Sequence, residues 1–211
     1  METSKKNIDS KVVSRIYGHG RGWVFTPNHF KDLGSRDAVA SALKRHKQSG
    51  LIRQLARGVY DYPKIDPELG LLEPSIDDIA QALAGRDATR LQPSGAYAAN
   101  LLGLSTQVPT KIVYLTDGRS RMVQIGKRQI TLKQTTPRNM ATAGRISGLV
   151  IQALRHLGSR HVDAATIEAV KKRLSAADRK RLLADMRNAQ TGIADIHQHL
   201  AAEHVQSARA T

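Results

Sequence analysis

Apolar and polar positions follow a helical period over residues 36 to 48. At about 3.6 residues per turn, Ala38, Val39, Ala42 and Leu43 share one face, while Arg36, Asp37, Ala40, Ser41, Lys44, Lys47 and Gln48 share the other. The first face belongs to a core. Ser35 follows Gly34 and predicts an N-cap, because its hydroxyl can accept a hydrogen bond from a backbone N–H two or three residues on. Gly50 predicts the stop, where a left-handed residue is wanted. A hairpin is expected next: LIRQL, a turn at Ala56, Arg57 and Gly58, then VYDY, which puts Arg57 at the tip.

Upstream, apolar Val12, Val13, Ile16 and Tyr17 predict an amphipathic helix over Asp9 to Tyr17. Val24 and Phe25 predict a short strand, and Pro27 opens a second short helix, PNHFKDL. Helix, strand, helix, helix and hairpin form the order of a winged helix-turn-helix, whose second motif helix enters the major groove of DNA. A generic helical hairpin is the plainer reading. It does not require a basic exposed face, a Gly-Ser stop-start and a basic hairpin together.

The segment VFTPNHFKDLGSRDAVASALKRHKQSGLIRQLARGVYDYP resembles the N-terminal domain of AbiEi-type antitoxins, the DNA-binding halves of type IV toxin-antitoxin pairs. The matching features are the VFT strand, LGSRDAV opening the recognition helix, ALKRHKQSGLI along it, and the closing RGVYDYP. The resemblance covers roughly residues 8 to 63, continues more weakly around PSGAYAANLLGLSTQVPTKIVYLTDG, and fades after about Leu132. It implies a DNA-binding antitoxin that represses its own operon and counters a nucleotidyltransferase-like toxin. In type IV systems the antitoxin need not hold that toxin in a stable complex.

Charge strengthens the nucleic-acid expectation. The chain carries 33 Lys+Arg against 18 Asp+Glu, net +15, which favours any polyanion through counterion release. Residues 1 to 64 hold 13 basic against 5 acidic residues, residues 65 to 110 hold 2 against 6, and residues 111 to 160 hold 10 against 1. The second basic zone is either an added phosphate-contacting face or a solvated surface.

The domain reading is residues 1–64 as the winged helix, 65–74 as a linker marked by prolines and acids in PKIDPELGLLEP, 75–205 as an antitoxin-like domain, and 206–211 as a frayed tail. Beyond the linker, Ser75 caps SIDDIAQALAG, and SGAYAANLLG follows Pro93. TKIVYLT, RMVQI and RQITLK, with turns at Asp117-Gly118 and Gly126-Lys127, predict an antiparallel meander. Ile146 to Leu157 is a helix ended by Gly158, Asp163 and Ser175 cap two more, and Thr191 precedes a last one with Ile193, Ile196 and Leu200. The expected fold class is therefore α+β, mainly α: a winged helix, then a short antiparallel sheet and a helical bundle.

Zero cysteines exclude disulfides and thiolate metal sites, and the lack of an apolar run argues against secretion or a membrane span, so a cytoplasmic location is expected. No converging catalytic groups are legible. His197 and His199 lie two apart on a helix and point to nearly opposite sides. Gly18-His19-Gly20-Arg21-Gly22 leads from helix to strand, the reverse of a phosphate loop, and reads as a flexible connector. Gly34-Ser35 lacks the paired carboxylates that metal-dependent nucleotidyl transfer needs. No enzyme activity, metal or cofactor is expected.

For contacts to double-stranded operator DNA carrying repeats, with a homodimer on the DNA as one arrangement, the candidates are Ser35, Arg36, Ser41, Lys44 and Lys47 on the helix and Arg57 at the wing. Arg36 stands where a recognition helix reaches deepest. Ser35 reads equally as a pure cap and Lys47 as a solvated side chain, while Arg53 is a candidate that could instead cover the hairpin's outer face. Arg45 borders the apolar face and is expected to pack its stem there. Two other readings stay open: a stand-alone winged-helix regulator with a C-terminal dimerisation domain, and an RNA-binding or nucleic-acid-modifying protein.

Overall fold

The computed structural model describes residues 2–85, 89–158 and 161–187, with side chains from Ile8 to Met186. It is an α+β chain with seven α-helices among the described residues. By internal contacts it divides into Met1–Thr89 with Arg121–Gly126, and Arg90–Ser120 with Lys127–Thr211.

In the first unit, α1 (Glu2–His19) is longer than the expected Asp9 to Tyr17. Its polar first turns offer no apolar rhythm to read, and their lysines favour helix. After β1 (Val24–Phe25), Pro27–Phe30 forms only a 3-10 helix, the short structure that the span between Pro27 and Gly34 sustains. Then come α2 (Arg36–Gln48), β2 (Arg53–Ala56) and β3 (Val59–Asp61). The strands form a sheet of order β1-β3-β2, both pairings antiparallel, with Arg53 opposite Asp61 and a bulge between Gln54 and Ala56.

The apolar face of α2 packs as its spacing requires. Val39, Ala42 and Leu43 join Val12 and Ile16 of α1 with Phe25, Phe30 and Ile52 in one buried cluster. Phe25 and Phe30 are fully buried and meet edge to face at 5.4 Å, each burial stabilising by about 1.5–3 kcal/mol. The glycine-rich connector is held on both sides. His19 stacks on Trp23 at 3.8 Å, and the Arg21 guanidinium lies 4.8 Å from the centre of the Tyr62 ring while donating to the Pro63 carbonyl at 3.0 Å.

The stretch expected as a linker carries a small hairpin, β4 (Ile65–Asp66) with β5 (Gly70–Leu71). Asp66 shapes its turn by accepting from the Glu68 and Leu69 N–H groups, which holds its carboxyl below the usual range. Next, α3 (Ile76–Ala84), capped by Ser75, packs against β1. The sequence reading puts this helix after the boundary. Its contacts put it with the first unit.

The second unit begins with β6 (Leu91–Ser94), a strand the sequence reading does not contain because Pro93 lies inside it. An edge position removes the objection, since proline's missing N–H is not needed there. Then come α4 (Gly95–Leu101), β7 (Lys111–Thr116) and, after β8 (Arg121–Ile125), β9 (Arg128–Gln134). The expected antiparallel meander is not formed in full: β8 and β9 are neighbours as expected, but β9, not β8, lies beside β7. β7 and β9 pair parallel from Lys111 opposite Gln129 to Thr116 opposite Gln134, and β6 pairs antiparallel on the other side of β7. Parallel neighbours need a long crossover, and the segment from Asp117 to Lys127, β8 included, supplies it.

Helices α5 (Ile146–Leu157), α6 (Ala164–Lys172) and α7 (Ala176–Arg187) begin close to where their signals predict, Asp163 accepting from the Thr166 N–H at 2.8 Å and Ser175 from the Asp178 N–H at 3.1 Å. Together with α4 they enclose Leu102, Val150, Ile151, Leu154, Val170 and Leu182. Asp185 on α7 accepts from the Ser147 hydroxyl at 2.5 Å and from Arg145 at 3.2 Å, fastening α7 to the start of α5. The helix expected after Thr191, the pair His197 and His199, and the frayed tail lie outside the described residues.

Candidate nucleic-acid interface

Ser35 has extended backbone angles, and its hydroxyl accepts from the Ala38 N–H at 3.3 Å, so the cap is made by the residue that the pattern selects. That start orients the rest of α2. With Val39, Ala42 and Leu43 turned inward, Arg36, Ser41, Lys44 and Lys47 all stand exposed, and the N-terminal turn presents Arg36 beside the cap. Arg57 is exposed at the turn between β2 and β3, where Gly58 adopts φ +75°, a conformation that L side chains rarely take.

These candidates differ in freedom. The guanidinium groups of Arg36 and Arg57 and the Lys44 ammonium have no hydrogen bond or ion pair among the described residues. Lys47 Nζ donates to Gln54 Oε1 at 2.7 Å, tying the end of α2 to β2.

Arg53 is committed inward. Its Nη2 donates to Asp61 Oδ2 at 2.6 Å and its Nε to Oδ1 at 3.1 Å, while Nη1 reaches Glu73 at 2.8 Å. Nη2 also donates to the Leu72 carbonyl at 3.1 Å. The bond to Asp61 chiefly raises the Arg53 pKa. Of the two roles open to Arg53 from sequence, the geometry matches neither a free contact nor a solvated cover: it satisfies a buried carboxylate and ties down the chain after β5.

Arg45 is half exposed, and its guanidinium donates to Asp9 Oδ1 at 2.6 Å, bridging α2 to α1. Arg15 and Asp32 make a second bidentate pair, at 2.8 and 2.7 Å, that holds α1 to the turn before α2.

One residue beside this face was not among the sequence candidates. A cleft of about 500 Å³ opens between the start of α2, the β2–β3 turn and β8, and Arg121 lines it with Arg36 and Arg57. Sequence shows only that Arg121 lies in a basic zone. Its place depends on β8 joining the first unit, which no local pattern announces.

Elsewhere in the second basic zone, Arg155 is half-buried, and desolvation together with the nearby Arg138 charge lowers its pKa. Among the described residues no group of three or more His, Cys, Asp or Glu side chains is arranged to hold a metal ion. No described helix is long and apolar enough to cross a membrane.

Residues 11–182 match a family described as a family of unknown function, DUF6088. The chain belongs to the DUF6088 family. A comparison with the curated proteins matches none of them. The match begins within α1 and ends within α7, so both compact units belong to what the family shares.

Proposed function

We propose that the chain is a cytoplasmic, DNA-binding antitoxin whose first unit is a winged helix-turn-helix, with α2 as recognition helix and the β2–β3 turn as wing. The observation that carries the DNA half is the exposed face of α2, where Arg36 and Lys44 stand without partners among the described residues and Arg57 stands beside them on the hairpin. Cations left unpaired on a rigid, capped helix are preorganised for phosphates and base edges, whereas Arg15, Arg45 and Arg53 of the same unit are spent on carboxylates. Arg36 reads a base edge, Lys44 and Lys47 contact phosphates, and Arg57 touches the backbone at the wing.

The antitoxin half rests on the resemblance to AbiEi-type antitoxins. On that reading the protein represses its own operon at repeated sites, bound as a homodimer, and its second unit counters a nucleotidyltransferase-like toxin without needing a stable complex. Nuclease footprinting on the DNA upstream of its own gene tests the first half: a protected, repeated site supports it, and no protection contradicts it. Expressing the toxin from an unrelated promoter tests the second. Continued protection of the cells supports neutralisation, and loss of protection leaves a stand-alone regulator as the better reading.

A further inference from the structure

The cleft beside Arg36 has a composition that DNA reading by α2 alone does not require. Its floor is apolar, with Val39 and Val59 each 2% exposed and Val123 8% exposed. Its walls bring three arginines from distant parts of the chain: Arg36 from the first turn of α2, Arg57 from the β2–β3 turn and Arg121 from the start of β8. None of these guanidinium groups has a hydrogen bond or ion pair among the described residues. Three guanidinium charges around one hollow, which Lys31 also lines, repel each other, and an anion seated among them would relieve that repulsion.

Size and polarity narrow the ligand. About 500 Å³ is far more than a bare phosphate or sulfate fills, and lies in the range of sites for small organic molecules. An apolar floor under a cationic rim suits a ligand with a carbon ring on one side and a phosphate on the other.

We propose that this cleft seats a sugar-phosphate group, with Arg121 as one of its anion ligands. The group has two sources: a deoxyribose-phosphate of the backbone of bound DNA, or a free nucleotide. The first source rests on the DNA-binding reading above, and makes β8 part of the DNA-binding surface although it lies more than fifty residues beyond the hairpin. The second would compete with DNA for Arg36 and Arg57.

The test uses the full chain and three variants: Arg121→Gln, Arg121→Lys, and Lys133→Gln as a control cation exposed on β9. Each is titrated with a duplex of its upstream DNA at several salt concentrations and, separately, with deoxyadenosine monophosphate by calorimetry. Thermal unfolding on the same samples verifies folding, and Arg121→Lys, which keeps the charge, guards against a purely structural loss.

If the backbone is the source, Arg121→Gln weakens duplex binding about five-fold or more at low salt and lowers the salt slope by about one, while Arg121→Lys and Lys133→Gln stay near wild type. If a free nucleotide is the source, the wild type binds the mononucleotide and Arg121→Gln does not. Arg121→Gln that is folded and matches wild type toward both ligands overturns the proposal, as does a wild type that binds neither. The two readings fail separately. Duplex binding that is lost in Arg36→Ala but indifferent to Arg121 sinks the cleft and leaves the recognition helix standing, whereas mononucleotide binding without duplex binding does the reverse.

Discussion

Arg53 and Asp61 face each other across β2 and β3 and are joined by two hydrogen bonds, at 2.6 and 3.1 Å, with the Asp61 side chain only 2% exposed. A buried carboxylate is tolerable only while its partner is present. Arg53→Ala is therefore expected to destabilise the first unit by about 3 kcal/mol, the lower end for breaking such a pair, since Arg53 itself keeps some exposure. Urea unfolding followed by Trp23 fluorescence measures it. A loss well under 1 kcal/mol would show that Asp61 finds water instead.

The cap of α2 separates stability from binding. Ser35→Ala should cost about 1 kcal/mol, whereas Ser35→Asp should keep full stability, because aspartate accepts the same hydrogen bond. A new negative charge at the proposed DNA face should nevertheless weaken duplex binding in Ser35→Asp. Unchanged affinity in a stable Ser35→Asp protein would put Ser35 away from the DNA.

In the second unit, Gly148 is fixed by space. A Cβ there would collide with the Thr142 carbonyl oxygen, which is backbone and cannot swing aside, and with Gln92 Oε1. Gly148→Ala should therefore destabilise by about 1–3 kcal/mol despite alanine's better helix propensity. A stabilised variant in thermal unfolding would show that α5 shifts freely.

Acid should loosen the second unit at Asp117. Its carboxyl accepts from the Arg90 side chain at 2.8 Å and the Arg90 N–H at 2.9 Å, the side-chain bond being the larger cause of its lowered pKa. A depressed carboxylate stabilises above its unfolded pKa, about 4, and that contribution is lost as pH falls through the lower folded value. Asp117→Asn should thus have a lower Tm than wild type at pH 7, the two converging toward pH 3. A gap that persists undiminished at low pH would show that the pair acts through packing rather than charge.

Local signals were legible and long-range ones were not. Ser35, Ser75, Asp163 and Ser175 each bond an N–H three residues on, so a window of a few residues contains the whole cause of each helix start. Parallel pairing of β7 with β9 has no such local cause. The turn at Asp117-Gly118 suggests β7 and β8 as neighbours, and only the sheet as a whole puts β9 beside β7 instead. The candidate site divides in the same way. Arg36, Lys44 and Arg57 follow from helix period and turn position, while the inward commitment of Arg53 and the arrival of Arg121 depend on residues far away in sequence.

The central claim, that the exposed face of α2 reads duplex DNA, is tested most directly by comparing Arg36→Ala and Arg57→Ala in titrations of upstream and random duplexes at several salt concentrations. Arg36→Ala should lose about 1–3 kcal/mol of specific binding and relax the preference at one base pair, while Arg57→Ala should weaken both duplexes about equally and lower the salt slope by about one. Full-strength specific binding by a folded Arg36→Ala protein, or a wild type that does not distinguish the two duplexes at any salt concentration, would contradict it.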